Sequence, residues 1–241
     1  MWNLPYFARR LARLMGPVAL LASTMLPGSA VNASGLNDTG ITTCSSETQN
    51  GLPCPVADYP GQDADYGTNR FNFTKLDGNG QDLPASATHH TCVRDNVTGL
   101  IWEVKTEDNG LRDKRWTYTW YNSNSATNGG SAGFFSNGRC YDSNRCDTEK
   151  YPQDINTAGL CGFRDWRMPT PDELLSIVDN SFFNPSIDAG YFPNTVFSGF
   201  WSSSPYAADS GGAWVVSFDY GGVYGYYRRS GFAVRLVRGG Q

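Results

Sequence analysis

Histidine is nearly missing from this chain: His89 and His90 are the two in 241 residues. So few leave little room for a multi-histidine metal site or a Ser-His-Asp triad. Charge is sparse, at 17% Asp, Glu, Lys and Arg against 39% hydrophobic and 14% aromatic residues. That balance excludes a disordered chain and a coiled coil. No Cys-x-x-Cys pair occurs, which argues against a zinc site. No internal repeat is evident.

Cations are also short. The formal net charge is −4, with 19 basic and 23 acidic residues. Arg9, Arg10 and Arg13 lie in the first thirty residues, which hold no acid; the remainder therefore carries 16 basic against 23 acidic residues, a net −7. A body this acidic is a poor nucleic-acid binder, because phosphate neutralisation needs clustered cations. The 27 glycines and 13 prolines place many turns and disfavour an all-helical bundle.

The apolar run from Leu14 to Leu26 falls short of the roughly 20 residues that span a bilayer, and Gly16 and Pro17 interrupt it. With the arginines before it and small residues at Gly28 and Ala30 after it, it has the three-part layout of a secretory signal. Residues 1–30 are expected to direct export and to be removed, with cleavage after Ala33 as an alternative. No stable membrane span is expected afterwards. The protein would then be periplasmic, secreted or surface-associated. Export changes how the cysteines read. Cys44, Cys54, Cys92, Cys140, Cys146 and Cys161 form an even set, as in a disulfide framework. Local closeness favours Cys44–Cys54 and Cys140–Cys146, leaving Cys92–Cys161, although sequence alone leaves the connectivity open.

Residues 31–90, rich in Gly, Asn, Asp, Thr and Pro, read as an irregular leader with short strands, one near Phe71 and Phe73. The run Asp77–Asp82 superficially resembles a calcium loop. The sixth and twelfth positions hold Asp82 and Thr88 instead of Gly and Glu, so it reads as a tight turn. From residue 91 to 239 the pattern is that of a folded domain. Leu100–Val104 predicts a strand, Trp116, Tyr118 and Trp120 a second strand-like stretch, and 122–139 a long surface loop. Residues 148–158 predict a short helix, with Pro152 near its first turn. Thr170 and Glu173 frame a capping box with Pro171 at the first helical position, and Leu174, Leu175, Ile177 and Val178 extend that helix to about Asp179 or Asn180. Strands follow at Phe200–Ser204, Ala213–Asp219 and Phe232–Arg238. A few strands with two short helices make an α+β fold.

Several segments together carry a resemblance. They are Cys92–Glu103 (CVRDNVTGLIWE), Gly159–Thr170 (GLCGFRDWRMPT) with Glu173 and Leu174, Phe200–Ser204, Ala213–Trp214 and Val234–Arg238. In order and spacing this set resembles the Lcl C-terminal-domain family over about residues 90–238. The resemblance implies a C-type-lectin-like domain: small twisted antiparallel sheets, two short helices, long loops, N- and C-terminal strands paired, and disulfide staples. It implies a surface role too, since the family includes an adhesin for sulfated polysaccharides. Calcium-dependent sugar recognition is not expected, because the Glu-Pro-Asn or Gln-Pro-Asp loop and later Trp-Asn-Asp of such lectins do not occur. No cofactor is expected, and structural calcium has no support.

Asp165, Trp166, Arg167, Thr170 and Glu173 read first as structure: a buried Trp, an Arg–Asp pair and a capped helix start. Trp102, Trp201 and Trp214 read as core. Two clusters remain for binding. Tyr220, Tyr224, Tyr226 and Tyr227 lie beside Arg228 and Arg229, so rings that stack on sugars adjoin guanidinium forks that bind carboxylate or sulfate. Lys105, Arg112, Lys114 and Arg115 accompany Trp116, Tyr118 and Trp120. The expectation is an exported, non-catalytic binding module for an extracellular glycan or protein, adhesin-like, with a structural part in the cell envelope as the alternative. A third reading is an oxidising enzyme of the formylglycine-generating type, whose Trp-Arg-Leu-Pro-Thr stretch resembles Trp166–Thr170. The free thiols or histidine set of that chemistry are not expected here.

Overall fold

A computed structural model describes residues 37–67 and 70–239. The signal segment, 1–30, lies outside the described residues. The chain forms α1 (Asp63–Tyr66), β1 (Phe73–Leu76), β2 (Asp82–Leu83), β3 (Cys92–Asp95) and β4 (Ile101–Glu103), then α2 (Lys150–Ala158) and α3 (Pro171–Leu175). It finishes with β5 (Gly199–Pro205), β6 (Gly212–Ser217), β7 (Val223–Tyr227) and β8 (Val237–Arg238). Two antiparallel sheets result, one ordered β2-β1-β3-β4-β8 and one ordered β5-β6-β7. This is a small α+β domain with few helices, held by three disulfides.

The leader is not separate from that domain. β1 and β2 form one side of the first sheet, with Lys75 opposite Val93. The turn between them is built by Asp77, whose carboxylate accepts the amides of Asn79 and Gln81 at 2.8 and 2.9 Å. Further back, Asn37 donates to the Asp95 carboxylate and the Ser176 carbonyl. The leader is therefore fastened at both ends.

Helix α2 starts without a capping side chain of its own; Asp147, just upstream, accepts the amides of Glu149 and Lys150. Pro152 falls in the first turn, where no intrahelical donor is lost. Tyr151 and Ile155, one turn apart, bury the inner face. Gly159 closes the helix at φ 69° with its amide on Ile155 O, a left-handed cap that a side chain would strain. Helix α3 carries the expected capping box, Thr170 Oγ1 accepting from Glu173 N and the Glu173 carboxylate from Thr170 N. It ends at Leu175, earlier than its apolar spacing predicts. Ser176 Oγ turns back onto Glu173 O at 2.7 Å, and Asn180 N bonds Thr39 O, so the chain leaves the helix to meet the leader. Leu174, Ile177 and Val178 are buried all the same.

The segment 232–238 predicts one strand but is split between the sheets. Phe232 bridges Tyr118 and Ala233 bridges Phe200, whereas Val237 and Arg238 pair with Trp102 and Ile101. The residues between are buried. The pairing of the early strand β4 with the late strand β8 agrees with expectation. Trp116–Trp120 makes single bridges with Arg139, Phe232 and Asp147 and no continuous strand.

All six cysteines are paired, as Cys44–Cys54, Cys92–Cys161 and Cys140–Cys146. Each bridge stabilises by roughly 2–4 kcal/mol, with the 69-residue separation of Cys92–Cys161 placing it at the upper end. Such a framework fits an exported chain. Among the described residues no helix is long and apolar enough to cross a membrane.

Candidate ligand-binding groove

The two expected binding clusters come to opposite ends. In the first, Lys105 is buried rather than exposed: its Nζ donates to Glu103 at 3.0 Å and to Tyr151 OH at 2.9 Å. Burial pulls the Lys105 ammonium down from its usual pKa, against the upward pull of Glu103. Burial raises the Tyr151 phenol well above its usual value, and the Glu103 charge adds to the rise. Arg112 donates to Val104 O and Thr91 O, Lys114 pairs with Glu107 at 2.8 Å, and Arg115 pairs with Asp113 at 3.0 Å. Tyr118 and Trp120 are core residues. This cluster offers no free cation patch. Each charge has an acid or carbonyl close by in sequence.

Arg235 joins the same interior. It is fully buried, lies over the rings of Phe192 and Phe200, and donates to Thr195 Oγ1 at 2.6 Å. Burial lowers it to about 10. The sequence places it within the strand expected over Phe232–Arg238 and gives no sign of a buried charge.

The second cluster is partly exposed. On β7, Tyr224 is 48% and Tyr226 47% accessible; Tyr227 and Tyr220 are more so. Arg228 departs from expectation. It is fully buried beneath the sheet, stacked over Trp120 at 4.2 Å, with its guanidinium on the carbonyls of Gly212, Asn128 and Ser131. A buried guanidinium whose Nε and Nη1 are held by three carbonyls is not presented to a ligand on the surface. Arg229 remains exposed and lies over Tyr227 at 5.4 Å.

Strand alternation sorts the tyrosines. Tyr224 opposes Val215 and Tyr226 opposes Ala213, so both project from the same face of the sheet, while Tyr227 points to the other. On the first face they line a groove of about 300 Å³ with Phe197, Tyr220, Phe232 and the Asp219 carboxylate. Phe232 packs edge-on against Tyr226. Gly199 forms part of the floor: a Cβ there would sit 2.4 Å from Val215 Cγ1 and 2.8 Å from Phe232, so no side chain fits. Among the described residues no hydrogen bond engages the hydroxyls of Tyr220, Tyr224 or Tyr226, nor the Asp219 carboxylate. Trp214, expected in the core, is half-buried on the opposite face, edge-on to Tyr206.

A second cavity, about 230 Å³, lies beside Trp166, Met168, Trp120 and Pro152. Its Arg167 guanidinium and Thr148 hydroxyl are already engaged. Arg167 holds Glu173 through both nitrogens, at 2.8 and 2.6 Å, and the Thr148 hydroxyl both accepts from and donates to the Tyr121 backbone. The expected Arg–Asp pair is thus two pairs, Arg167–Glu173 and Arg238–Asp165. Trp166 is buried, its indole N–H on Leu160 O. These motif residues build the α3 start and anchor β8.

Cys44, Cys54 and Asp65 gather within 4.8 Å, but both sulfurs are spent in a disulfide and offer no thiolate to a metal.

The motif segments CVRDNVTGLIWE, GFRDWRMPT and VRLVR thus converge on one sheet and its flanking helix, and the family model for the Lcl C-terminal domain matches residues 91–238. The chain belongs to that family. No curated protein and no solved structure matches the chain. In this Lcl C-terminal domain the family segments account for the core and the β4–β8 closure. The tyrosines of β7 lie outside the segments that carry the sequence resemblance.

Proposed function

We propose that this protein is an exported, non-catalytic binding module with a C-type-lectin-like domain, and that its groove on β5–β6–β7 takes an extracellular glycan, as an adhesin would. The observation that carries the reading is the tyrosine-lined groove, with unengaged hydroxyls and one free carboxylate. Tyrosine rings stack on the C–H faces of sugars, and phenol and carboxylate oxygens take sugar hydroxyls. The pairing of β4 with β8 supports the lectin-like arrangement. With Arg228 buried and Asp219 in the wall, the groove favours an uncharged sugar face over a sulfated one.

A glycan-array screen of the oxidised mature chain, with and without chelator and at two salt concentrations, tests this. The expected result is saturable binding to neutral glycans, insensitive to chelator and salt, and lost in the Tyr224→Ala/Tyr226→Ala double variant. Binding that fades with salt would point instead to anionic glycans on Arg229 and other surface cations. Binding unchanged in the double variant would overturn the groove. Exposed Phe182 and Phe183, 49% and 76% accessible, favour a second reading, a protein partner within the cell envelope. Absence of any glycan binding would support it.

A further inference from the structure

Strand β7 is the edge of its sheet. Its cross-strand bonds show which of its backbone groups are used. Ser217 N donates to Gly222 O at 2.8 Å and Arg228 N to Gly211 O at 2.9 Å, so the even-numbered residues 222–228 direct their backbone groups toward β6. Val223, Gly225 and Tyr227 therefore aim their N–H groups away from it. Among the described residues only the Tyr227 carbonyl of these three has a partner, accepting from Ser230 N. A five-residue edge strand that is uncharged, aromatic and exposed invites pairing with another strand.

The sequence of this strand, Val-Tyr-Gly-Tyr-Tyr, is nearly symmetric about Gly225. We infer that β7 pairs antiparallel with β7 of a second copy of this chain, with Gly225 on the two-fold axis, to give a continuous six-stranded sheet. This register brings all five residues of each strand into pairing. Gly225 exchanges both backbone bonds with its counterpart, and Val223 and Tyr227 exchange theirs across the axis. Tyr224 then faces Tyr226 of the second copy at a non-hydrogen-bonded position, where side chains approach closest. Gly225 is fixed as glycine within its own chain, where a Cβ would lie 2.7 Å from the Tyr206 ring. The interface is isologous and closed, and stops at two copies. It does not depend on what the groove binds, though it would set two grooves side by side on one face.

Sedimentation equilibrium of the oxidised mature chain tests the inference. A reversible dimer is expected. Val223→Pro removes an N–H that the fold of the single chain does not use, a position where edge strands tolerate proline, and it raises the dissociation constant about tenfold. Hydrogen exchange at the Gly225 amide slows as concentration rises. A chain that remains monomeric up to about 1 mM overturns the inference, as does open-ended association or a Val223→Pro variant that dimerises unchanged.

Discussion

The two cation–aromatic clusters look alike in sequence and differ in the fold. Between residues 103 and 120 the basic residues alternate with Glu103, Glu107, Asp108 and Asp113, and each basic residue is paired or bonded to a carbonyl. Between 220 and 238 there is no acid at all. Its cations go separate ways: Arg228 and Arg235 inward to carbonyls, a hydroxyl and rings, Arg229 outward, and Arg238 across to Asp165. Basic residues beside aromatics mark a surface only when neither local acids nor buried carbonyls claim them. The tyrosines of β7 stay outside because they occupy an edge strand, where there is little to cover them.

The comparison breaks most visibly at Lys105. Lys105→Met leaves the buried Glu103 carboxylate without its cation, and should cost about 3–4 kcal/mol in the free energy of unfolding measured by urea titration. Replacing Glu103 by Gln in the same variant should recover part of that loss. A cost below about 1 kcal/mol would mean that the ammonium is exposed to water after all.

Arg228→Met tests whether the second cluster hides a structural cation. Three carbonyls lose their donor, and the expected cost is about 2 kcal/mol by the same titration. An unchanged stability accompanied by weakened ligand binding would return Arg228 to the surface.

The smallest effect concerns acid. Asp113 is buried, and the hydrogen bonds from Arg115 hold its carboxyl well below the ordinary aspartate value against the opposing pull of burial; the amides of Arg115 and Asn109 add to this. A carboxyl whose pKa is depressed by folding stabilises fully above its unfolded value of 3.8 and loses that contribution as pH falls toward the folded value. Urea midpoints followed from pH 5 down to 2 should therefore drop less steeply in Asp113→Asn than in the natural chain. Equal slopes would remove Asp113 from the acid response.

Much of the fold was legible because its signals were local. The capping box at Thr170, the short helix over 148–158, the strands over 200–204 and 213–219 and the two short disulfides, Cys44–Cys54 and Cys140–Cys146, all rest on residues near one another in the chain. Family resemblance supplied the β4–β8 closure, which no local pattern contains. The misses were long-range. Helix α3 stops early because the leader residue Thr39 takes the amide of Asn180. The strand over 232–238 divides because its two ends meet different sheets. The short strand expected near Phe73 forms as β1, but its pairing with β3 in the first sheet carries no local mark. At the candidate groove the tyrosines were legible and Arg228 was not. A lone arginine next to exposed aromatics carries no mark of the three carbonyls, up to 100 residues away, that bury it.

The division of residues 232–238 between the two sheets also affects how the protein is made. Neither sheet has its full set of partners until this stretch is in place, so the native domain cannot close while residue 238 is still inside the ribosome. Contacts between residues so distant in sequence slow folding. The domain therefore closes only once residue 238 has emerged, and every shorter nascent chain lacks the strand that joins the two sheets.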